Sequence, residues 1–193
     1  MESHIEALIN SWRKRNISGF YCANKKEAAD LMLQIIPASA SVGISGSVTL
    51  NELGIVALLE SRGKNRVFNQ YQAELTPDES LKLRREGAQA DYYLASANAV
   101  SQKGELVFLS AYGNRSAGVS YAKNVVIVCG ANKITPDLSS AIKRAREYAA
   151  PLNCKRLKNW DPSRPMCCQV LIIEAEVLPE RLKVIMVGEE LGF

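Results

Sequence analysis

Three short stretches of this chain carry residue types suited to gripping a small anion. In Gly43-Ile44-Ser45-Gly46-Ser47-Val48-Thr49 the glycines let a ligand approach the backbone, and the hydroxyls of Ser45, Ser47 and Thr49 can donate. Free N–H groups at the helix start that follows would favour negative charge. In Tyr112-Gly113-Asn114-Arg115-Ser116, Arg115 offers a bidentate fork for carboxylate or phosphate, and Asn114 offers both a donor and an acceptor. In Gly130-Ala131-Asn132-Lys133, Lys133 supplies a point charge or, once desolvated, an amine. Asn98, in Ser96-Ala97-Asn98-Ala99-Val100, joins them as a ligand-orienting amide, and Glu52 is the acid placed nearest. Glu52 and Lys133 are therefore the candidate acid/base groups, with Ser45, Gly46, Ser47, Thr49, Asn98, Gly113, Asn114 and Arg115 as the binding set.

Each stretch also has a plainer reading. Ser47 suits an N-cap, Thr49-Leu50-Asn51-Glu52 has the spacing of a capping box, Gly113-Asn114-Arg115 is a common turn, and most lysines in such loops are solvated. The first loop has no Gly-Lys-Ser/Thr and no third glycine, so neither a P-loop nor a dinucleotide fingerprint is present and ATP or NAD is not implied.

The composition narrows the chemistry further. His4, four residues from the start, is the single histidine in 193 residues, which argues against a buried Ser-His-Asp triad, a Cys-His dyad and multi-histidine metal sites. The five cysteines are an odd number, and Met1 to Asn16 reads as a charged helix, unlike a signal peptide, so a disulfide framework is not expected. Cys154, Cys167 and Cys168 fall in a proline-bounded loop without CxxC spacing, which argues for free thiols and no metal site; Cys22 and Cys129 lie in strand patterns as small buried hydrophobes. Lys143, Arg144, Arg146, Lys155, Arg156, Lys158 and Arg164 make this region basic, yet only Tyr148 and Trp160 are interleaved, which fits a solvated face and not a nucleic-acid site. A net charge of +4 is too modest to change that. No apolar run approaches the roughly 18 residues of a membrane helix. The cytoplasm is the expected compartment.

The elements that must position these loops alternate. Ile5, Leu8, Ile9 and Trp12 mark a first helix, Phe20 to Ala23 a strand, and Ala28, Leu31, Met32 and Ile35 a second helix ending before Pro37. Strands at 41–44, 66–68, 92–96, 105–109 and 124–129 alternate with helices over 48–61 (interrupted at Gly54) and 77–86, and with a short helical stretch to Tyr121. A last helix is capped by Thr135-Pro136-Asp137, carries Leu138, Ala141, Ile142, Ala145 and Tyr148 as its buried stripe, and stops at Pro151. Asp91 reads as a cap or turn residue. Val170 to Ala175 and Leu182 to Val187, flanking Pro179, read as a two-stranded hairpin. The expected fold is α/β, with a mostly parallel sheet, helices on both faces and a C-terminal hairpin. It forms one domain over 1–193: a helical portion (1–40), an α/β core (41–150), and a loop with the hairpin (151–193).

The segments SGSVTLNELGI (45–55), ADYYLASANAVSQKGELV (90–107), GNR (113–115), VVIVCGANKI (125–134), AAPLN (149–153) and VGEELGF (187–193) resemble the lactate-utilisation (LUD) domain family over nearly the whole chain. That resemblance implies a sheet of the sugar-isomerase and CoA-transferase type (NagB/RpiA/CoA transferase-like), related to formyltetrahydrofolate cyclo-ligase, in a bacterial setting. It also implies a role beside an iron–sulfur system that oxidises lactate to pyruvate, although many stand-alone members have no established activity. Relatives of this kind often carry a cysteine-rich insertion after AAPLN; here the stretch from Cys154 to Cys168 is short, which argues against a cluster carried by this chain. The leading expectation is a protein that binds a small anionic metabolite at the strand-end loops, within lactate or 2-hydroxy-acid utilisation. Two alternatives stand beside it: an isomerase or acyl/CoA-type transferase acting on a phosphorylated or thioester substrate, and a non-catalytic accessory subunit of an iron–sulfur oxidoreductase. A homo-oligomer is compatible with all three.

Overall fold

Val125-Val126-Ile127-Val128 is apolar on both faces of a strand, the pattern of a parallel strand covered from both sides. The computed structural model, which describes residues 2–157 and 169–193, places that run near the middle of a six-stranded sheet. The strands are β1 (Ser18–Cys22), β2 (Ser41–Ile44), β3 (Arg66–Phe68), β4 (Tyr92–Ala95), β7 (Asn124–Gly130) and β10 (Leu182–Val187), all parallel, in the order β1-β10-β7-β4-β2-β3. A second sheet holds β5 (Ala99–Ser101), β6 (Leu106–Ser110), β8 (Ile134–Thr135) and β9 (Gln169–Ile173), in the order β8-β5-β6-β9.

Both faces of the parallel sheet are covered. On one, α2 (Lys25–Ile35), α3 (Val48–Glu52) and α4 (Ile55–Ser61) bury Ala28, Met32, Leu50 and Leu59 against Val42, Leu94, Val126 and Ile185. On the other, α1 (Glu2–Arg13), α6 (Asn114–Tyr121) and the second sheet meet Tyr93, Val125, Ile127 and Val184. The expected stripe of α1 is buried there, with Trp12 donating from Nε1 to Gly104 O at 2.8 Å. Beyond the second sheet, α7 (Leu138–Arg144) packs Ala141 on Ala99 and Val107.

Helix α5 (Pro77–Gly87) starts with a complete capping box between Thr76 and Glu79. It lies so close to β2 that a Cβ on Gly43 would sit 1.9 Å from Gly87 O. Glycine at both positions is what admits the helix.

Three expectations need correction. The strands at 169–173 and 182–187 exist but do not form a hairpin: β9 pairs antiparallel with β6, while β10 runs parallel between β1 and β7. The unbroken run Val184-Ile185-Met186-Val187, buried throughout, belongs in the centre of a parallel sheet, and a hairpin partner would have left one face in water. The last helix does not stop at Pro151. It passes through a π turn (Ala145–Ala149) into α8 (Ala150–Arg156), and Pro151 sits in the first turn of α8, where no intrahelical N–H is needed. The extra residue of the π turn also rotates the stripe, so that Tyr148 is 53% exposed while Ala145 and Ala149 are buried. Among the described residues no helix is long and apolar enough to cross a membrane.

Candidate functional site

The chain leaves β2 toward β3 on one side and, after β4, builds the sheet toward β7 on the other. The crevice beyond the carboxyl ends of β2 and β4 is thus a topological switch point, the usual ligand position in an open parallel sheet. A cleft of about 300 Å³ opens there.

Its floor is built around Lys133. The short helical turn Ala131–Lys133 after β7 sends this side chain into the protein, where it is only 3% exposed. Nζ donates to Thr49 Oγ1 (2.9 Å), Ser96 Oγ (2.8 Å) and Ala97 O (3.2 Å). All three acceptors are neutral. Burial pulls the amine down to about 8, with the repulsion of Arg144 and Arg115 adding to the shift and Cys129 and Glu52 opposing it.

Arg115, in the first turn of α6, ties the strand-end loops together. Nη1 donates to Asn98 Oδ1 (3.1 Å) and Leu109 O (2.9 Å), and Nη2 donates to Gly46 O. Asn98 Oδ1 also accepts from Leu109 N (2.8 Å), and Arg144 donates to Asn98 O, so the turn after β4 is held from both sides.

Of the residues expected from sequence, Gly46, Ser47, Thr49, Asn98, Asn114, Arg115 and Lys133 all line this cleft. Three do not. Ser45 is buried beneath it, with its N–H on Leu94 O (2.9 Å) and its hydroxyl unpartnered among the described residues. Gly113 is the left-handed N-cap that aims α6 at the cleft. Glu52 is exposed and accepts from Gly192 N (2.8 Å). Ser47 is the N-cap of α3, accepting from Leu50 N (3.2 Å); the capping box does not form, because Thr49 turns inward to Lys133.

Leu191 and Gly192 close the floor from behind. Thr49 Oγ1 donates to Leu191 O (3.3 Å), and Asn132 accepts from Leu191 N (3.1 Å) and donates to Gly192 O (3.1 Å). Glu52 thus anchors Gly192, the residue after the Leu191 carbonyl on which Thr49 rests.

Sequence reasoning missed two walls. Tyr71 and Arg84 reach the cleft from the β3–α5 region and Tyr112 from the loop before α6; Ala149, Asn153 and Arg156 come from the π turn and α8. The second group was hidden by treating Pro151 as a stop. The described lining carries four cationic side chains (Arg84, Arg115, Lys133, Arg156) and no Asp or Glu.

Other candidates resolve simply. Asp91 is a turn residue, accepting from Ser41 N (3.0 Å) and Oγ (2.7 Å), and His4 is exposed on α1. An iron–sulfur cluster needs converging thiolates. Cys22 and Cys129 lie in separate core clusters, Cys154 is buried in α8, and burial pushes all three thiols up. The described cysteines therefore do not fit a cluster, and no group of three or more metal-ligating side chains occurs among the described residues. Cys167, Cys168, Lys158, Trp160 and Arg164 lie outside them.

Comparison with known proteins supplies the remaining findings. The family model of the LUD domain matches residues 5–187. The chain is similar to a crystal structure of a DUF162 family protein from Deinococcus radiodurans, with a TM-score of 0.56, 13% identity, and 97% of this chain and 96% of that one covered. It is more distantly similar to ribose 5-phosphate isomerase from Plasmodium falciparum, with a TM-score of 0.38, 17% identity, and coverage of 58% and 52%. No curated protein matches.

Proposed function

The chain belongs to the LUD domain family, and from that premise we propose that it binds a small anionic metabolite in the cleft beyond β2 and β4. The observation that carries this reading is Lys133: a buried ammonium whose hydrogen-bond partners are all neutral. A buried charge without a counter-ion is costly to the fold, and an arriving anion would offset that cost while gaining an attraction strengthened by the dry surroundings. Arg115 adds a second cation beside the floor, and Asn98, Asn114 and Ser47 surround the ligand with polar groups.

Within this reading the ligand belongs to 2-hydroxy-acid metabolism, as the family resemblance suggests, and the protein works in the cytoplasm. The Lys133 charge would attract the carboxylate from the floor, its three N–H donors staying on Thr49, Ser96 and Ala97, and Glu52 would anchor Gly192 behind Thr49 without touching the ligand. The isomerase or acyl-transferase reading is favoured by one fact. An amine held at about 8 is partly neutral near physiological pH and so can also take a proton.

The test is a thermal-shift series with lactate, pyruvate, inorganic phosphate and ribose 5-phosphate on wild type and on Lys133→Met. A ligand at about 100 times its Kd adds roughly 2.7 kcal/mol of stability and so several degrees to Tm. The shift should appear with at least one anion and vanish in the variant; no shift with any of them contradicts the reading.

A further inference from the structure

Arg84 sits at the rim of the same cleft, held in an unusual way. Its guanidinium lies over the rings of Tyr71 (5.9 Å to the centroid) and Tyr112 (5.3 Å), and all three residues line the cleft. Its Nε is buried with no hydrogen-bond partner among the described residues. Of the three acids on its own helix, Glu86 pairs with Arg66 (3.4 Å) and Lys82 (3.9 Å), Glu79 sits in the capping box, and Asp78, in the first turn, forms no ion pair with Arg84. Tyr112 is 76% exposed and Tyr71 52%, so the rings stand at the mouth and not in the core.

Stacking on aromatic rings engages the faces of a guanidinium and leaves the donors on its edge. A buried donor such as Nε without an acceptor needs an explanation, and at a cleft rim the direct one is an acceptor brought by the ligand. The floor already has its own cation in Lys133, which Thr49, Ser96 and Ala97 fix in place. Lys133 is buried on the floor, whereas the rings that frame Arg84 stand exposed at the mouth, so the two cations lie at different depths of the cleft. A cleft of about 300 Å³ also has room for much more than a three-carbon acid.

We propose that Arg84, clamped between Tyr71 and Tyr112, is a second anion-binding centre, so that the ligand carries two separated anionic groups, in the manner of a phosphorylated hydroxy acid. This rests on the anion-binding reading above and narrows it: one group sits at Lys133 on the floor and the other at Arg84 on the rim.

Isothermal titration calorimetry on the full chain with matched ligands tests it. Glycerate, gluconate and glycerol 3-phosphate carry one anionic group; 3-phosphoglycerate and 6-phosphogluconate carry two. At least one two-group ligand should bind about tenfold or more tightly than every single-group ligand, as expected for an added charge-assisted pair. Arg84→Gln should erase that advantage without weakening the single-group ligands, and Tyr112→Ala, at an exposed position, should reduce it by an independent route. Equal binding of one-group and two-group ligands, or an advantage that survives both substitutions, overturns the proposal and leaves the floor site standing. If no anion binds wild type, the anion-binding reading itself fails and this proposal falls with it.

Discussion

Lys133 Nζ lies 2.9 Å from Thr49 Oγ1, a contact that joins the end of β7 to the first turn of the helix after β2. The two residues are 84 positions apart in sequence, and their meeting depends on β2, β4 and β7 being adjacent parallel strands whose carboxyl ends share one edge. Thr49 in turn rests on Leu191 O, so the floor of the cleft is assembled from three distant parts of the chain.

Stability should depend on pH through Lys133. The unfolded chain holds this proton up to its ordinary value of 10.5, whereas the folded protein releases it at about 8. Between those values the unfolded state binds more protons, so stability rises with pH; below about 8 both states are protonated and the full burial cost is present. The relief amounts to about 3 kcal/mol. Urea unfolding at pH 7 and pH 10 should show wild type gaining on Lys133→Met across this window, and anion affinity should move oppositely, falling as pH rises past the Lys133 value.

Gly192→Ala should weaken the floor without touching its cation. Gly192 has φ +60°, and a Cβ there would lie 2.5 Å from Thr49 Oγ1. Left-handed backbone costs a non-glycine residue about 1–2 kcal/mol, and the displaced threonine adds to that. A lower Tm together with several-fold weaker anion binding is expected by thermal shift and calorimetry. Glu52→Ala should act in the same direction through Gly192 N, with Glu52→Gln restoring most of the loss.

Arg115→Ala removes a guanidinium that holds Asn98, Leu109 and Gly46. Leaving Leu109 O and Gly46 O without this donor, and Asn98 Oδ1 with Leu109 N alone, should cost about 2–4 kcal/mol in denaturant unfolding. Anion affinity should fall by about tenfold or more. Arg115→Lys keeps the charge but not the fork, so it should recover less than half of the stability loss.

Gly43→Ala probes the scaffold alone. The new Cβ would stand 1.9 Å from Gly87 O, a backbone atom that moves only if α5 moves. The expected cost is at least about 3 kcal/mol, toward the upper end for overpacking, measured as lost soluble yield or a large drop in the urea midpoint.

The parts of this arrangement that were legible in sequence are those written in local chemistry. The β-branched run at 125–128, the capped helices and the glycine-punctuated loops after β2 and β7 located the parallel sheet and its edge, and with them Thr49, Asn98, Arg115 and Lys133. Pairing partners were not legible. The run at 184–187 has the composition of a central strand, yet its proximity to 170–175 suggested a hairpin, because sequence distance favours local pairing while burial on both faces decides against it. The α8 wall was lost because proline stops a helix interior but suits a first turn, and the π turn that creates that new start has no sequence signature. Tyr71, Arg84 and Tyr112 come from separate segments and meet only through the placement of α5 against β2.

The central claim is that Lys133 is an anion-binding cation, and calorimetry of wild type against Lys133→Met tests it most directly. Methionine fills the buried space without the charge, and Ser96 Oγ can still donate to Thr49 Oγ1 or Ala97 O, so the variant should fold: the relieved burial of the charge offsets the lost donor. With the tightest-binding anion of the series, wild type should give a saturable isotherm at pH 7 that weakens by pH 9, and the variant should give none. An isotherm of unchanged affinity in a folded Lys133→Met protein would contradict the account.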